Sequence, residues 1–113
     1  MANVYDITVE QGSSFNLALT AKDSNGTPLN LYGYAARGAI KYGYGSTNYL
    51  LNLNPSVDSS YVSGLINISL TAAQTSSLPV TKAVYDIEVY ASNGYTFKAI
   101  RGYVDVIPEV ANL

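Results

Sequence analysis

Apolar and polar residues alternate over short segments of this sequence, and this period of two constrains the fold more than any other feature. The odd positions from Tyr5 to Val9 are apolar, whereas Asp6 and Thr8 between them are polar. Successive side chains of an extended strand point to opposite faces, so the pattern is typical of a strand with one buried and one solvated face. The chain is therefore predicted to be rich in β-strands.

The same alternation predicts about seven short strands separated by turn residues. We label them A to G and place them at residues 4–10, 15–21, 34–42, 49–53, 66–70, 83–90 and 95–107. Asn25-Gly26 and Asn93-Gly94 are typical of tight turns. In strand G the apolar positions change from odd to even near Ala99, which predicts a β-bulge.

One helical signal interrupts the strands. Thr71 is followed three positions later by Gln74, which is the pattern of a helix capping box, and Pro79 ends the segment. We expect a single helical turn between strands E and F.

These elements predict an all-β fold, an antiparallel immunoglobulin-like β-sandwich in one domain over residues 1–113, with a short C-terminal tail at 108–113. The sequence has no Cys and no Trp, so neither the inter-sheet disulfide nor the core Trp of antibody domains is present. The core is predicted to form by packing alone, around Phe15, Leu17, Ile40, Leu70, Tyr85 and Ile87.

Composition excludes several kinds of chemistry. Without His or Cys there is no imidazole base, thiolate nucleophile or zinc–thiolate site, and no cofactor or metal site is predicted. The net charge is −2 and only 12% of residues are charged, which argues against nucleic acid as a partner. No segment has the length or pattern of a membrane span or signal peptide, so we expect a soluble protein made in the cytoplasm.

Eleven Tyr are the other unusual feature. Tyr5, Tyr34 and Tyr85 have the phase of core residues. The candidate partner contacts lie in or beside turns or close to Gly, and they are Tyr32, Tyr42, Tyr44, Tyr49, Tyr61 and Tyr95. Tyr offers a large, stiff contact at low entropic cost, which suits recognition of a protein or of sugar rings. Tyr that merely cap the sandwich would give the same pattern.

Carboxylates supply the remaining candidates for chemistry. Asp86 and Glu88 are two residues apart on one strand face, as a glycoside hydrolase or a calcium site would need. Cross-strand pairing with Lys98 or Arg101 on strand G is the simpler interpretation. The segment from Asp23 to Thr27 carries oxygen ligands too, but turn formation explains it.

The order of several short motifs resembles small immunoglobulin-like domains of tailed-bacteriophage virions, above all the N-terminal domains of baseplate upper proteins and related tail proteins. The motifs are Tyr5-Asp6-Ile7, Glu10-Gln11-Gly12, Phe15-Asn16-Leu17, Gly26-Thr27-Pro28-Leu29-Asn30-Leu31, Tyr34-Ala35-Ala36-Arg37, Ile68-Ser69-Leu70-Thr71, Tyr85-Asp86-Ile87-Glu88 and Gly102-Tyr103-Val104. They cover nearly the whole chain and consist of turns and core positions. The resemblance implies a structural module that docks on tail, baseplate or capsid.

The leading hypothesis is thus a noncatalytic, multi-copy virion protein that binds other virion subunits through sheet edges, Tyr loops and its termini. Such tail proteins usually continue into fibre segments, whereas this chain ends soon after Ile107. A capsid decoration protein or a small tail accessory is therefore expected. The sequence leaves open whether the protein forms homo-oligomers. The alternative is a carbohydrate-binding adhesion module that stacks sugars on Tyr32, Tyr42, Tyr44 and Tyr49. A carboxylate enzyme is a distant third.

Overall fold

The structure is a computed structural model that describes residues 3–108. Its strands are β1 (Asn3–Val4), β2 (Ile7–Glu10), β3 (Phe15–Thr20), β4 (Tyr34–Lys41), β5 (Leu51–Asn52), β6 (Ser56–Val57), β7 (Leu65–Leu70), β8 (Lys82–Ala91) and β9 (Thr96–Ile107). A 3₁₀ turn covers Tyr61–Ser63, and α1 covers Ala72–Ser76. Except for Pro108, the predicted C-terminal tail lies outside the described residues.

The strands form two sheets whose inner faces share one hydrophobic core, which confirms the predicted all-β sandwich. The first sheet has the order β1-β9-β8-β4-β5 with β2 also on β9, and the second has the order β3-β7-β6. In the predicted lettering the first sheet contains strands A, G, F, C and D, and the second contains B and E together with β6. The neighbouring strands G-F-C and B-E are those of immunoglobulin-like domains. However, β1 and β2 pair with β9 in parallel, so the first sheet is mixed, because alternation reports which face a residue occupies and not which strand lies beside it.

Predicted strand A is in fact two strands with a break at Tyr5 and Asp6. The Tyr5 N–H donates to the Arg101 carbonyl at 2.8 Å, and an Asp6 carboxylate oxygen accepts from the Tyr103 N–H at 2.9 Å. The prediction that Tyr5 faces the core was wrong: its side chain is 49% exposed. The predicted inward positions are confirmed in β2, where Ile7 and Val9 are buried.

Predicted strand D contains only the short strand β5, and a second short strand that was not predicted, β6, follows it in the other sheet. β5 pairs with β4, whereas β6 pairs with β7. The chain crosses between the sheets at Leu53, which is fully buried, and at Asn54, whose φ is 44°. Asn is one of the few residues that adopt this left-handed conformation readily.

Most of the predicted core is confirmed, since Ile40, Leu70, Tyr85 and Ile87 are buried. Phe15 and Leu17 are only partly buried against that core, because β3 is an edge strand whose outer side lacks a neighbouring strand among residues 3–108. Predicted strand C included Tyr42, but β4 ends at Lys41 and the Tyr42 ring is exposed.

Two local predictions are confirmed in detail. Ile87 pairs with Ile100, but the next residue, Glu88, pairs with Lys98, so Ala99 is the extra residue of a β-bulge. Both hydrogen bonds of the capping box join Thr71 and Gln74 at the start of α1. Within residues 3–108, no helix has the length and apolar character needed to cross a membrane.

Candidate binding surfaces

All six candidate Tyr side chains are exposed, but the fold separates them into two groups. The loop between β4 and β5, at residues 42–50, carries Tyr42, Tyr44 and Tyr49. Because β4 runs from Tyr34 to Lys41 and pairs antiparallel with β8, this loop lies at the opposite end of the sheet from the β8–β9 hairpin with Tyr95. Tyr32, just before β4, lies at the hairpin end, and its ring centroid is 5.3 Å from that of Tyr61. The four Tyr of the carbohydrate hypothesis therefore do not form one platform.

Tyr44 is held against the first sheet. Its hydroxyl donates to the Gly102 carbonyl at 3.2 Å, and the guanidinium of Arg101 lies 5.9 Å from its ring centroid. Burial raises the pKa of the Tyr44 hydroxyl, and the positive charge of Arg101 partly offsets that effect. Tyr44 thus stabilises its loop, and Tyr42 and Tyr49 are left as the more accessible rings of this group.

Aromatic residues gather at the hairpin end. Tyr34, at the start of β4, meets Tyr95 and Phe97 edge-to-face, with ring centroids 6.4 and 5.9 Å apart, and Tyr95 and Phe97 are 5.9 Å from each other. Tyr34 and Phe97 are half-buried on the inner face of the first sheet, whereas Tyr95 is 58% exposed. The second sheet therefore leaves part of this aromatic surface uncovered.

A cleft of about 430 Å³ lies beside these rings. The three aromatic rings line one part of it, and the linker between β3 and β4 supplies the rest of the lining, which is Lys22, Asp23, Ser24, Leu29 and Asn30. We call it the hairpin-end cleft. It combines aromatic surface with a carboxylate, an amide, a hydroxyl and an ammonium group, which is the composition of a small-ligand site.

The second surface is the outer edge of β3. β3 pairs with β7 on one side, and within residues 3–108 no strand pairs with its other side. A groove of about 380 Å³ follows this edge and separates it from Val4 and Tyr5. We call it the β3 groove.

The predicted carboxylate pair forms an ion network on the outer face of the first sheet. The Lys98 ammonium lies 2.7 Å from a Glu88 oxygen and 3.3 Å from an Asp86 oxygen, and Arg37 pairs with the other Glu88 oxygen. Lys98 is thus the cross-strand partner that the sequence predicted, whereas Arg101, though opposite Asp86 in register, forms no ion pair with it among the described residues. Arg37 was missed, because the pairing of β4 with β8 is not visible in the sequence.

The hydrogen bond from Lys98, followed by that from Arg37, lowers the pKa of Glu88 below its ordinary value of 4.5 despite partial burial. A carboxyl whose pKa is lower in the folded state stabilises the fold above the unfolded pKa and loses that contribution as the pH falls through the folded pKa. We therefore expect the free energy of unfolding in urea to fall more between about pH 6 and about pH 3 in the wild type than in Glu88→Gln. The difference between the two proteins is expected to be less than about 1 kcal/mol. An equal loss in both proteins would contradict the role of this network; Glu10→Gln, on an exposed residue, is the control.

Sequence reasoning missed most of the hairpin-end cleft. Tyr95 was a candidate contact, but Tyr34 was assigned to the core, Asp23 was interpreted as a turn residue, and Asn30 was not a candidate. The turn interpretation itself is correct: an Asp23 carboxylate oxygen accepts from the Asn25 and Thr27 N–H groups at 2.9 and 3.0 Å. The sequence did contain one signal for this cleft, which is a cluster of polar turn residues shortly before a strand that begins with an aromatic residue.

Comparison with known proteins assigns this chain to no family. No protein-family model matches the sequence, and no curated protein matches it. Among solved structures, the chain is similar to a mutant of the SrpA adhesin from Streptococcus sanguinis, with a TM-score of 0.48 and 14% sequence identity. The similarity covers 91% of this chain, which spans 55% of the adhesin chain.

Proposed function

We propose that this protein is a noncatalytic structural subunit of a tailed-phage virion, present in many copies, which docks on other virion proteins as a tail or baseplate accessory or as a capsid decoration protein. The sequence resemblance to virion immunoglobulin-like domains motivates the virion role. The observation that carries the docking role is the open edge of β3.

The β3 edge lacks the features that keep exposed strands from associating. It is six residues long, Phe15–Thr20, with no charged residue and no Pro. The other edges of the sandwich are short or interrupted: β5 and β6 have two residues each, and β1 and β2 are separated by the break at Tyr5 and Asp6. Natural proteins shorten, charge or cover their edge strands, because unpaired N–H and C=O groups pair with other chains. An edge this long and uncharged is therefore expected to be covered in the assembled particle.

The backbone of β3 indicates what covers it. The Ala21 N–H donates to the Gly64 carbonyl at 2.8 Å, which sets the alternation so that Asn16, Ala18 and Thr20 direct their backbone groups away from β7. An extended segment of another protein would pair with this row of alternating donors and acceptors by adding a strand to the sheet. In constant-type immunoglobulin domains strand A occupies this position beside strand B, and here β1 and β2 lie on β9 instead.

The carboxylates that offered chemistry are already engaged. Glu88 accepts hydrogen bonds from both Arg37 and Lys98, and Asp86 shares Lys98 with it. The hydrogen bonds from Lys98 and Arg37 lower the pKa of Glu88, which disfavours Glu88 as a proton donor. This arrangement supports a noncatalytic role.

The proposal is tested on purified phage particles produced from the genome that encodes the chain. Quantitative mass spectrometry is expected to find this protein in many copies per particle, and cross-linking is expected to join residues beside β3, such as Lys22, to another virion subunit. Particles that lack the protein would overturn the proposal.

A further inference from the structure

The hairpin-end cleft has one wall made of aromatic rings at fixed angles. Tyr34 and Phe97 pack edge-to-face at an interplanar angle of 76°, and Tyr95 contacts both. Edge-to-face contacts of this kind favour one arrangement of the rings over others. Because the Tyr95 side chain is 58% exposed, its ring is accessible to a ligand in the cleft.

The other wall presents polar atoms that the fold has not used. One Asp23 oxygen and the Asn30 side-chain oxygen accept backbone N–H groups. Among residues 3–108, no hydrogen bond or ion pair engages the second Asp23 oxygen, the Asn30 side-chain nitrogen or the Lys22 ammonium. The cleft therefore offers one strong acceptor and two donors to a ligand.

Both walls are held in place without a ligand. The Asp23 N–H donates to the Thr27 carbonyl at 2.9 Å and the Gly26 N–H to the Asp23 carbonyl at 3.0 Å, which closes the turn of the linker. Across the cleft, the Ala91 N–H donates to the Tyr95 carbonyl at 2.9 Å and closes the β8–β9 hairpin. A site whose walls are already ordered loses less conformational entropy when it binds.

We propose that the hairpin-end cleft is a saccharide-binding site, in which a pyranose ring stacks its C–H face on Tyr95 and its hydroxyl groups bond to Asp23, Asn30 and Lys22. A sugar ring needs an aromatic surface on one face and both donors and acceptors at its rim, and the cleft supplies these together. Its volume of about 430 Å³ lies within the range of small-ligand sites.

The surrounding charges favour a sugar over other ligands with a flat face. Among residues 3–108, Lys22 is the only cationic residue in the lining, and it is next to Asp23. The cleft therefore lacks the concentration of positive charge that the phosphate groups of a nucleotide need. An apolar peptide side chain would leave Asp23 and Lys22 desolvated without partners, which is unfavourable. The hydroxyl groups of a sugar satisfy both.

The test is an array of defined mono- to tetrasaccharides, followed by calorimetric titration and amide chemical-shift mapping with each sugar that binds. We expect at least one sugar to bind, with shifts concentrated at Ser24, Asn30, Tyr95 and Phe97. Tyr95→Ala is expected to weaken binding about tenfold or more. Asn30→Asp keeps the oxygen that accepts the Tyr32 N–H but removes the amide donor, and is expected to weaken binding about threefold or more.

Tyr49→Ala is the matched control, because Tyr49 is as exposed as Tyr95, at 59% against 58%, but lies at the opposite end of the sheet. It is expected to leave sugar affinity unchanged. An array on which no sugar binds would overturn the proposal. The proposal would also be overturned if the Tyr95→Ala variant kept the wild-type melting temperature and bound the sugar as tightly as the wild type. Both results are independent of whether the protein occurs in phage particles.

Discussion

Replacement of Gly102 by alanine is expected to lower the free energy of unfolding by about 3 kcal/mol. Gly102 is buried in β9, where the break between β1 and β2 passes directly over it. A Cβ there would overlap the Tyr5 carbonyl oxygen and lie 2.7 Å from the Tyr5 carbonyl carbon, both of them backbone atoms. The clash is with main chain, which cannot rotate away, so the N-terminal strands must shift from β9.

The same contact joins several elements, which is why its loss is expected to be large. The buried Tyr85 hydroxyl donates to the Tyr5 carbonyl, and the Tyr44 hydroxyl donates to the Gly102 carbonyl. Urea unfolding checks the prediction, with Gly43→Ala as control. Apart from Gly43 and its two chain neighbours, no described residue has an atom within 4 Å of a Cβ at this position, so the effect is expected to stay within about 0.5 kcal/mol. Equal stability of the two variants would contradict the observed path of residues 5 and 6.

Leu31→Ala is expected to destabilise the protein by about 2–5 kcal/mol, which is the range for buried Leu truncations. Leu31 is fully buried although it lies in the linker between β3 and β4. Its N–H donates to the Tyr61 carbonyl and its carbonyl accepts from the Tyr34 N–H, each at 3.0 Å. The side chain therefore anchors the linker that supplies the polar wall of the hairpin-end cleft.

Leu29→Ala is the matched control for this prediction, because it removes the same atoms two residues earlier from a side chain that is only partly buried. Its effect on thermal or urea unfolding is expected to be roughly half that of Leu31→Ala or less. A larger effect for Leu29→Ala would mean that the linker is anchored at Leu29 instead.

The sequence predicts features that depend on neighbouring residues. The alternation around Ile87 places Asp86 and Glu88 outside and Val89 inside, as observed, since a two-residue period is a property of the strand itself. The bulge at Ala99 is predictable for the same reason, because an extra residue changes the parity of the apolar positions. The capping box at Thr71 needs only four consecutive residues.

Features that depend on which strands lie side by side are not predictable in this way. Alternation at Phe15 to Thr20 is the same whether β3 is central or at an edge, so the open edge is invisible in the sequence. Similarly, Tyr34 has the phase of a core residue, and only the incomplete cover by the second sheet turns it into part of a cleft. The break at Tyr5 arises from close packing on Gly102, which is remote in the chain.

The central claim, that the open β3 edge docks the protein in a virion, is tested most directly by substituting Ala18. Ala18 is an exposed residue in the middle of β3, and Lys at such a position disfavours strand association. Ala73→Lys, on the exposed helical turn α1, makes the same change away from the edge. The measurement is the amount of each variant in purified particles relative to wild type, with equal melting temperatures verified first. We predict that Ala18→Lys is depleted about tenfold or more and that Ala73→Lys is incorporated normally. Normal incorporation of Ala18→Lys, or absence of the wild-type protein from particles, would contradict the claim.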